Sequence, residues 1–315
     1  MNEKLVSVIM SVYNEDEKWL QKSIESIINQ SYRNIEFIIV LDNPNNDIAK
    51  KVIQKYLEND SRVRVFYNEK NIGLVASLNK ALGYVKGDYV ARMDADDIAY
   101  ENRIEKQMEV IDSENVDFIM SSIRLIDEDD DIISESIIRE MNPEQFNKFA
   151  KYGNVSTHPT WLLKKKVYDK LKGYRDVKYC EDFDFIIRAI QNGVCCMRTK
   201  DVLLDYRVRN VGISKLNVME QAEKAFFLRK EYRRGCNISN IDVDYINQKF
   251  GKFSDEKRRK YSEADAQIEK FSKEFSNGKY MNCVVNFIRN YCINRYYRKL
   301  FNNFFVAFIV RKKFE

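Results

Sequence analysis

The first hundred residues alternate between two periodicities. Apolar runs at 4–12, 35–41, 63–67 and 88–93 read as strands. Between them lie segments with apolar residues at helical spacing: 17–30, 47–58 and Gly73–Val85. In the first of these, Trp19, Leu20, Ile24, Ile27 and Ile28 share one face. A chain that repeats strand, helix, strand, helix buries its strands most readily as a parallel sheet wrapped by those helices. Such crossovers bring the carboxyl ends of the strands to one edge, where open α/β sheets bind ligands.

A polar cluster follows each strand. They are Tyr13-Asn14-Glu15, Asp42, Lys70-Asn71-Ile72-Gly73 and Asp94-Ala95-Asp96-Asp97. The last is the most informative, because its three carboxylates crowd into four residues directly after an apolar strand. Carboxylates so close repel one another unless something positive sits between them, and a divalent metal is the obvious candidate. Taken alone, Asp42 reads as a helix cap, and Tyr13 as either a packing or a stacking residue. At consecutive strand ends the four clusters together predict a polar, carboxylate-lined crevice.

Past residue 100 the pattern changes. A helix is expected at 100–114, then strands at 116–126 and 132–139. The acidic turn Asp127–Asp131 joins those strands and reads as a solvated hairpin tip rather than a second metal site. A helix at 143–151 leads to Asn154–Leu163, which holds His158-Pro159-Thr160-Trp161. Glu181-Asp182-Phe183-Asp184 opens a helix at 182–192, and Val202–Arg209 is a late strand. From about 217 onward the chain reads as helical. The expected organisation is a catalytic domain at 1–215, with a nucleotide-binding half at 1–98 and an acceptor half at 99–215. A helical extension then covers 216–315.

Composition excludes several classes. The 315 residues carry 53 Lys and Arg against 48 Asp and Glu, a net charge of +5 that does not by itself imply nucleic acid. No nucleic-acid recognition module is present. The six cysteines form no Cys-x-x-Cys pair and there is one histidine, so a structural zinc site is not expected. Reduced, buried thiols of a cytosolic protein are the expectation. The apolar run Leu5–Val12 is broken by Asn14, Glu15, Asp16 and Glu17, unlike a signal peptide. No apolar stretch reaches the ~18 residues of a membrane span.

The series Ser7-Val8-Ile9-Met10-Ser11-Val12-Tyr13-Asn14-Glu15, Asp42, Asn71-Ile72-Gly73, Asp94-Ala95-Asp96-Asp97 and Glu181-Asp182 resembles the inverting family-2 glycosyltransferases of GT-A fold. The likeness covers roughly residues 4–210. It implies an α/β fold with a mixed, mainly parallel sheet flanked by helices. It also implies sugar transfer from a nucleoside diphosphate donor, UDP-sugar favoured, with Mn²⁺ or Mg²⁺ as cofactor. The acceptor implied is a polyprenyl-diphosphate-linked glycan in bacterial O-antigen or capsule synthesis. By motif match, Asp96 is the metal ligand and Asp94 faces the donor ribose or the metal. Asp97 supports them, Asp42 contacts the uracil, and Tyr13 stacks on or flanks the base. Glu15, Asn71 and Gly73 complete the donor side. The resemblance makes Asp182 the base that takes the acceptor proton, with Glu181 orienting it or binding acceptor. It places His158 and Trp161 beside the donor sugar and acceptor, with His158 titrating near neutral pH.

Two departures stand out. Leu41 replaces the first of two acidic residues often found after the second strand. Arg209 stands near where the family often has a histidine, before Ser214; a permanent cation there would clamp the diphosphate.

Residues 282–315 interleave Arg289, Arg295, Arg298, Lys299, Arg311, Lys312 and Lys313 with aromatic and aliphatic residues. Such amphipathic basic helices suit an anionic lipid surface, which predicts a cytoplasmic enzyme held peripherally on the inner face of the plasma membrane. Packing on the catalytic domain or in a homodimer is the alternative. Two other functional classes compete. A nucleotidyltransferase would show a Gly- and Arg/Lys-rich phosphate loop where Tyr13-Asn14-Glu15-Asp16-Glu17 stands. A non-catalytic sugar-nucleotide binding protein would lack Asp96 or Asp182.

Overall fold

The computed structural model describes residues 4–136, 140–209, 217–276, 278–291 and 294–312. It opens with β1 (Val6–Val12), α1 (Glu17–Ile28), β2 (Ile35–Leu41), α2 (Asp47–Asn59), β3 (Val63–Tyr67), α3 (Leu74–Leu82) and β4 (Tyr89–Asp94). The four strands lie parallel in the order β3-β2-β1-β4. Their register sets Val12 beside Leu41, Leu41 beside Tyr67, and Ser11 beside Asp94. The polar residues that follow therefore emerge along one edge. Local chemistry supports the first two crossovers. The Asp16 carboxylate caps α1 by accepting from the Lys18 amide, and Asn46 caps α2 by accepting from Ala49. Leu20, Ile24 and Ile27 of α1 are fully buried on the sheet. Each such side chain contributes about 1.5–3 kcal/mol of burial.

The second half extends the same sheet. It contains β5 (Ile98–Ala99), α4 (Arg103–Ser113), β6 (Phe118–Ile126), β7 (Ile132–Ser136), α5 (Pro143–Ala150), β8 (Leu162–Lys164), α6 (Lys165–Leu171), α7 (Glu181–Gln191) and β9 (Cys196–Arg207). β8 pairs antiparallel with β4 and β6, β9 runs parallel to β6, and β5 closes that edge against β9. β7 forms a hairpin with β6. Among the described residues the sheet has nine strands; it is mixed and flanked by helices, as the sequence led us to expect.

Several boundaries differ from the sequence reading. β9 begins at Cys196 rather than Val202, because register shifts against β6 absorb the polar Lys200-Asp201 step. α3 ends at Leu82, capped by Gly83. Residues 137–139 of the expected 132–139 strand lie outside the described residues, as do residues 210–216 with Ser214.

The chain divides into two compact units. The first comprises Met1–Phe146, Ser156–Asp176 and Glu181–Gly212; the second comprises Asn147–Val155, Val177–Cys180 and Ile213–Glu315. The second unit is helical from residue 218: α8 (Val218–Arg233), α9 (Val243–Phe250), α10 (Asp255–Ser276), α11 (Tyr280–Tyr291) and α12 (Arg295–Lys312). Its small core gathers Met219, Tyr261, Ala264, Tyr296 and Tyr297. No helix among the described residues is long and apolar enough to cross a membrane.

Candidate active site

The acidic cluster sits where β4 leaves the sheet. Oxygens of Asp94, Asp96 and Asp97 all lie within 4.8 Å of one another. Asp97 is 1% exposed, and its Oδ1 accepts from the Arg207 amide at 2.8 Å. Its Oδ2 is buried with no hydrogen-bond partner among the described residues. Burial, with the charges of Asp96 and Asp94, pushes the Asp97 carboxyl well above its usual range. Burial and the neighbouring Asp94 push Asp96 up to about 6. A close trio of hard oxygens with one unspent buried atom fits Mg²⁺ or Mn²⁺, and a bound cation would favour the ionised forms that burial disfavours.

Arginines surround this cluster. Arg209 Nε lies 2.9 Å from Asp96 Oδ2, so the residue singled out as a diphosphate clamp reaches the acidic cluster directly. Arg92, on β4 and 3% exposed, pairs with Asp94. Arg207 holds the backbone of the cluster: besides its amide on Asp97, its Nε donates to the Asp96 carbonyl at 2.9 Å. The same guanidinium donates to the Asp127 carbonyl, pairs with Asp130 and lies over the Trp19 ring. The acidic turn 127–131 is therefore not simply a solvated tip. Asp130 also pairs with Lys22, and the Glu128 carbonyl accepts from the Trp19 indole. Beneath the cluster, fully buried Arg103 donates to the Arg92 carbonyl at 2.7 Å. Burial and the charge of Arg92 pull its pKa down to about 9.

The donor-side residues line the same edge. Tyr13 is 42% exposed, and its amide donates to Glu15 Oε2 at 2.7 Å. Burial raises Glu15 to about 7, helped by the charge of Asp96 and opposed by that amide and by Arg209. Asp42 is 3% exposed and accepts three bonds of 2.8 Å, from Asn68 Nδ2 and from the amides of Ile72 and Gly73. It anchors the loop between β3 and α3. Gly73 adopts φ 86°, a region that suits glycine, and its amide also donates to Asn71 Oδ1 at 2.9 Å.

Glu181 and Asp182 begin α7, where the helix dipole favours negative charge. Burial and the neighbouring Asp182 still push Glu181 up to about 7. Burial also raises Asp182, opposed by the Ser156 hydroxyl and the Phe183 amide, which donates to Asp182 Oδ1 at 2.6 Å. The positive charge of Arg92 acts on both pairs of acids: it favours ionisation of Asp96 and Asp97 and of Glu181 and Asp182. Asp184 is not part of this group, being buried between Arg175 and Arg188.

Two expectations are corrected. Trp161 is 0% exposed, edge-on to Phe118 at 4.8 Å and stacked with Tyr174 at 6.1 Å. It offers no surface to a substrate and belongs to the core. His158 is buried against that indole, with Nε2 2.9 Å from the Tyr174 hydroxyl. Burial holds its pKa well below the usual value, so it is neutral at pH 7 and has no titration near neutrality.

The family model "Glycosyl transferase family 2" matches residues 7–172, more than half of the chain. The chain belongs to this family. It is 40% identical over 216 residues to an uncharacterized glycosyltransferase of Methanocaldococcus jannaschii, MJ1057, covering 67% of this chain and 73% of that protein. It is 31% identical over 240 residues to the O-antigen biosynthesis glycosyltransferase WbnJ of Escherichia coli, covering 75% and 92%. Among solved structures it is similar to S. aureus TarS in complex with UDP-GlcNAc, with TM-score 0.59 and 18% identity over 77% of this chain and 69% of that one. It is also similar to the mannosyltransferase PcManGT of Pyrobaculum calidifontis, in complex with GDP-Man and Mn²⁺, with TM-score 0.57 and 16% identity over 71% and 63%. These structural likenesses carry the GT-A fold. The enzyme is a glycosyltransferase, and the nucleotidyltransferase and non-catalytic alternatives fall away.

Proposed function

We propose that this glycosyltransferase moves a sugar, with inversion, from a UDP-sugar to a polyprenyl-diphosphate-linked glycan in surface polysaccharide synthesis. The observation that carries this reading is the shared electrostatic field of two carboxylate groups. One stands at the end of β4 and one at the start of α7, and Arg92 acts on both. In transfer, the acceptor oxygen bonds to the anomeric carbon as the bond to the diphosphate oxygen breaks. The bonding pair leaves with the nucleoside diphosphate, and the acceptor proton passes to Asp182. A base with a raised pKa takes that proton more readily, and the transition state has oxocarbenium character. Glu181 binds or orients the acceptor.

Asp94 and Asp96 would hold the divalent ion, with Asp97 behind them. When bound, that ion supplies positive charge against the diphosphate leaving group. Arg209, paired with Asp96, adds a permanent cation beside the cluster. Tyr13 offers an exposed ring for the base. Asp42 spends three of about four lone-pair directions on the protein and has one left for a uracil N–H. UDP is favoured on that ground, and the likeness to the O-antigen biosynthesis glycosyltransferase WbnJ supports a glycan acceptor.

The second unit is the membrane-facing candidate. On α11, Tyr280, Met281, Val284, Val285 and Ile288 are all more than half exposed and recur on one helical face. Exposed Arg289 and Arg298 accompany them, and the pattern suits peripheral contact with anionic lipid on the cytoplasmic side. Sedimentation with phosphatidylglycerol vesicles should fall strongly in Val284→Asp/Ile288→Asp; a homodimer that persists without lipid would instead assign the face to a second copy.

A donor screen tests the catalytic reading. Purified protein with Mn²⁺ and a lipid-diphosphate sugar should transfer from one member of a UDP-, GDP- and dTDP-sugar panel, with a UDP-sugar expected. Transfer that survives both EDTA and Asp96→Ala would overturn the metal assignment. Full activity in Asp182→Asn would overturn the base.

A further inference from the structure

The segment that delivers the Glu181–Asp182 pair is held by two polar side chains of the second unit. Residues 177–180 belong to that unit, and the next residue opens α7. Lys224 of α8 is 1% exposed, an unusual state for an ammonium group. Its Nζ donates to the Lys178 carbonyl at 2.8 Å and to Asn247 Oδ1 at 2.9 Å. Asn247 of α9 accepts at the same oxygen from the Lys178 amide, at 3.1 Å. The backbone of Lys178 is thus held at both of its polar ends by one triangle of hydrogen bonds.

The following residue is constrained as well. Tyr179 adopts φ 64°, which a side chain of this size rarely does, and Lys224 Nζ lies 5.7 Å from its ring centroid. The Cys180 amide then turns back to the Val177 carbonyl at 2.8 Å. Backbone strain of this kind persists only where surrounding contacts over-determine it, and it gathers at functional sites. A buried ammonium is likewise costly unless its protons are satisfied. Both features meet at the three residues that precede Glu181.

We propose that Lys224 and Asn247 are positioning residues for transfer: by gripping the Lys178 peptide they set where α7 begins, and so where Asp182 meets the acceptor hydroxyl. This rests on the assignment of Asp182 as the base. Neither residue touches the reacting atoms, so neither is catalytic itself.

The test uses the full chain with Lys224→Met, which keeps the stem and loses the donors, Asn247→Leu, and the double variant, alongside Asp182→Asn. Hydrogen exchange in a peptide spanning 177–183 should quicken at least about ten-fold in both single variants, while peptides of β1–β4 stay as in the wild type. With the donor selected by the panel, kcat should fall about ten- to a hundred-fold. Donor KM and the Kd of UDP with Mn²⁺ should stay within two-fold of wild type. Because the pair acts as one clamp, the double variant should be no worse than the weaker single. Unchanged exchange at 177–183, or unchanged kcat, overturns the proposal. So does a KM and a UDP Kd that worsen in step with kcat, since that marks general loss of structure. Wild-type activity in Asp182→Asn would instead remove the base assignment; a kcat loss in Lys224→Met that tracks faster exchange would still support the clamp.

Discussion

Replacing Asp96 by asparagine should separate stability from activity. The Asp96 carboxyl ionises near pH 6 in the fold, against an ordinary 3.8, because it is buried beside Asp94. Above pH 6 the ionised group costs the folded protein about 3 kcal/mol relative to the unfolded chain. The sign follows from proton counting: the folded state holds its proton over a range where the unfolded state has lost it, so stability falls as pH rises from 4 to 6. Asparagine removes that cost, which already includes the attraction of Arg209 for the carboxylate. The net gain is about 3 kcal/mol at pH 8, or about 6–12 °C in Tm for a domain of this size. At pH 4.5, where the folded carboxyl is protonated, the gain shrinks to about 1 kcal/mol. Thermal unfolding in EDTA at both pH values reads this directly, and transfer should fall about a hundred- to a thousand-fold in the same variant. Equal destabilisation at pH 4.5 and pH 8 would refute the reasoning, since Asp96 would then be a structural partner of Arg209 and not a repelled ligand.

The rate should fall as pH drops below about 7, because the Glu181–Asp182 pair must be ionised to accept a proton and burial raises both acids; a kcat/KM profile flat from pH 5 to 8 would contradict this. His158→Gln should leave the shape of that profile near neutral pH unchanged, since burial holds the His158 pKa well below its usual value. Trp161→Phe should lower Tm while leaving donor KM within two-fold, whereas Trp161→Ala should cost about 3–5 kcal/mol in denaturant unfolding. Gly73→Ala meets no steric obstacle but must hold φ 86°, so it should destabilise by about 1–2 kcal/mol and raise donor KM as the loop shifts from Asp42.

The acids of the site were legible because strand ends are. Asp42, Asp94, Asp96 and Asp97 each follow a run that reads as a buried strand, and parallel register does the rest. The arginines were not. Arg92 sits inside β4, where a single charge in an apolar run gives no sign of which way it faces, and Arg207 lies 110 residues from the Asp97 it holds. Only the pairing of β9 with β5 and β6 brings Arg207 there. One signal was available: Arg92 lies within the apolar run of β4, where the neighbouring side chains are buried. Trp161 misled for the opposite reason. The resemblance places it beside the donor sugar and acceptor, but packing against Phe118, Phe185 and Tyr174 consumes the ring.

Hairpin tips are the usual places to graft an affinity tag, splice a loop or circularly permute a chain, and Asp127–Asp131 looks like one. Here Arg207 reaches from that tip to the Asp96 carbonyl and the Asp97 carboxylate. A single inserted residue at the tip would therefore be read out at the acidic cluster, and anyone dividing or decorating this enzyme should cut elsewhere.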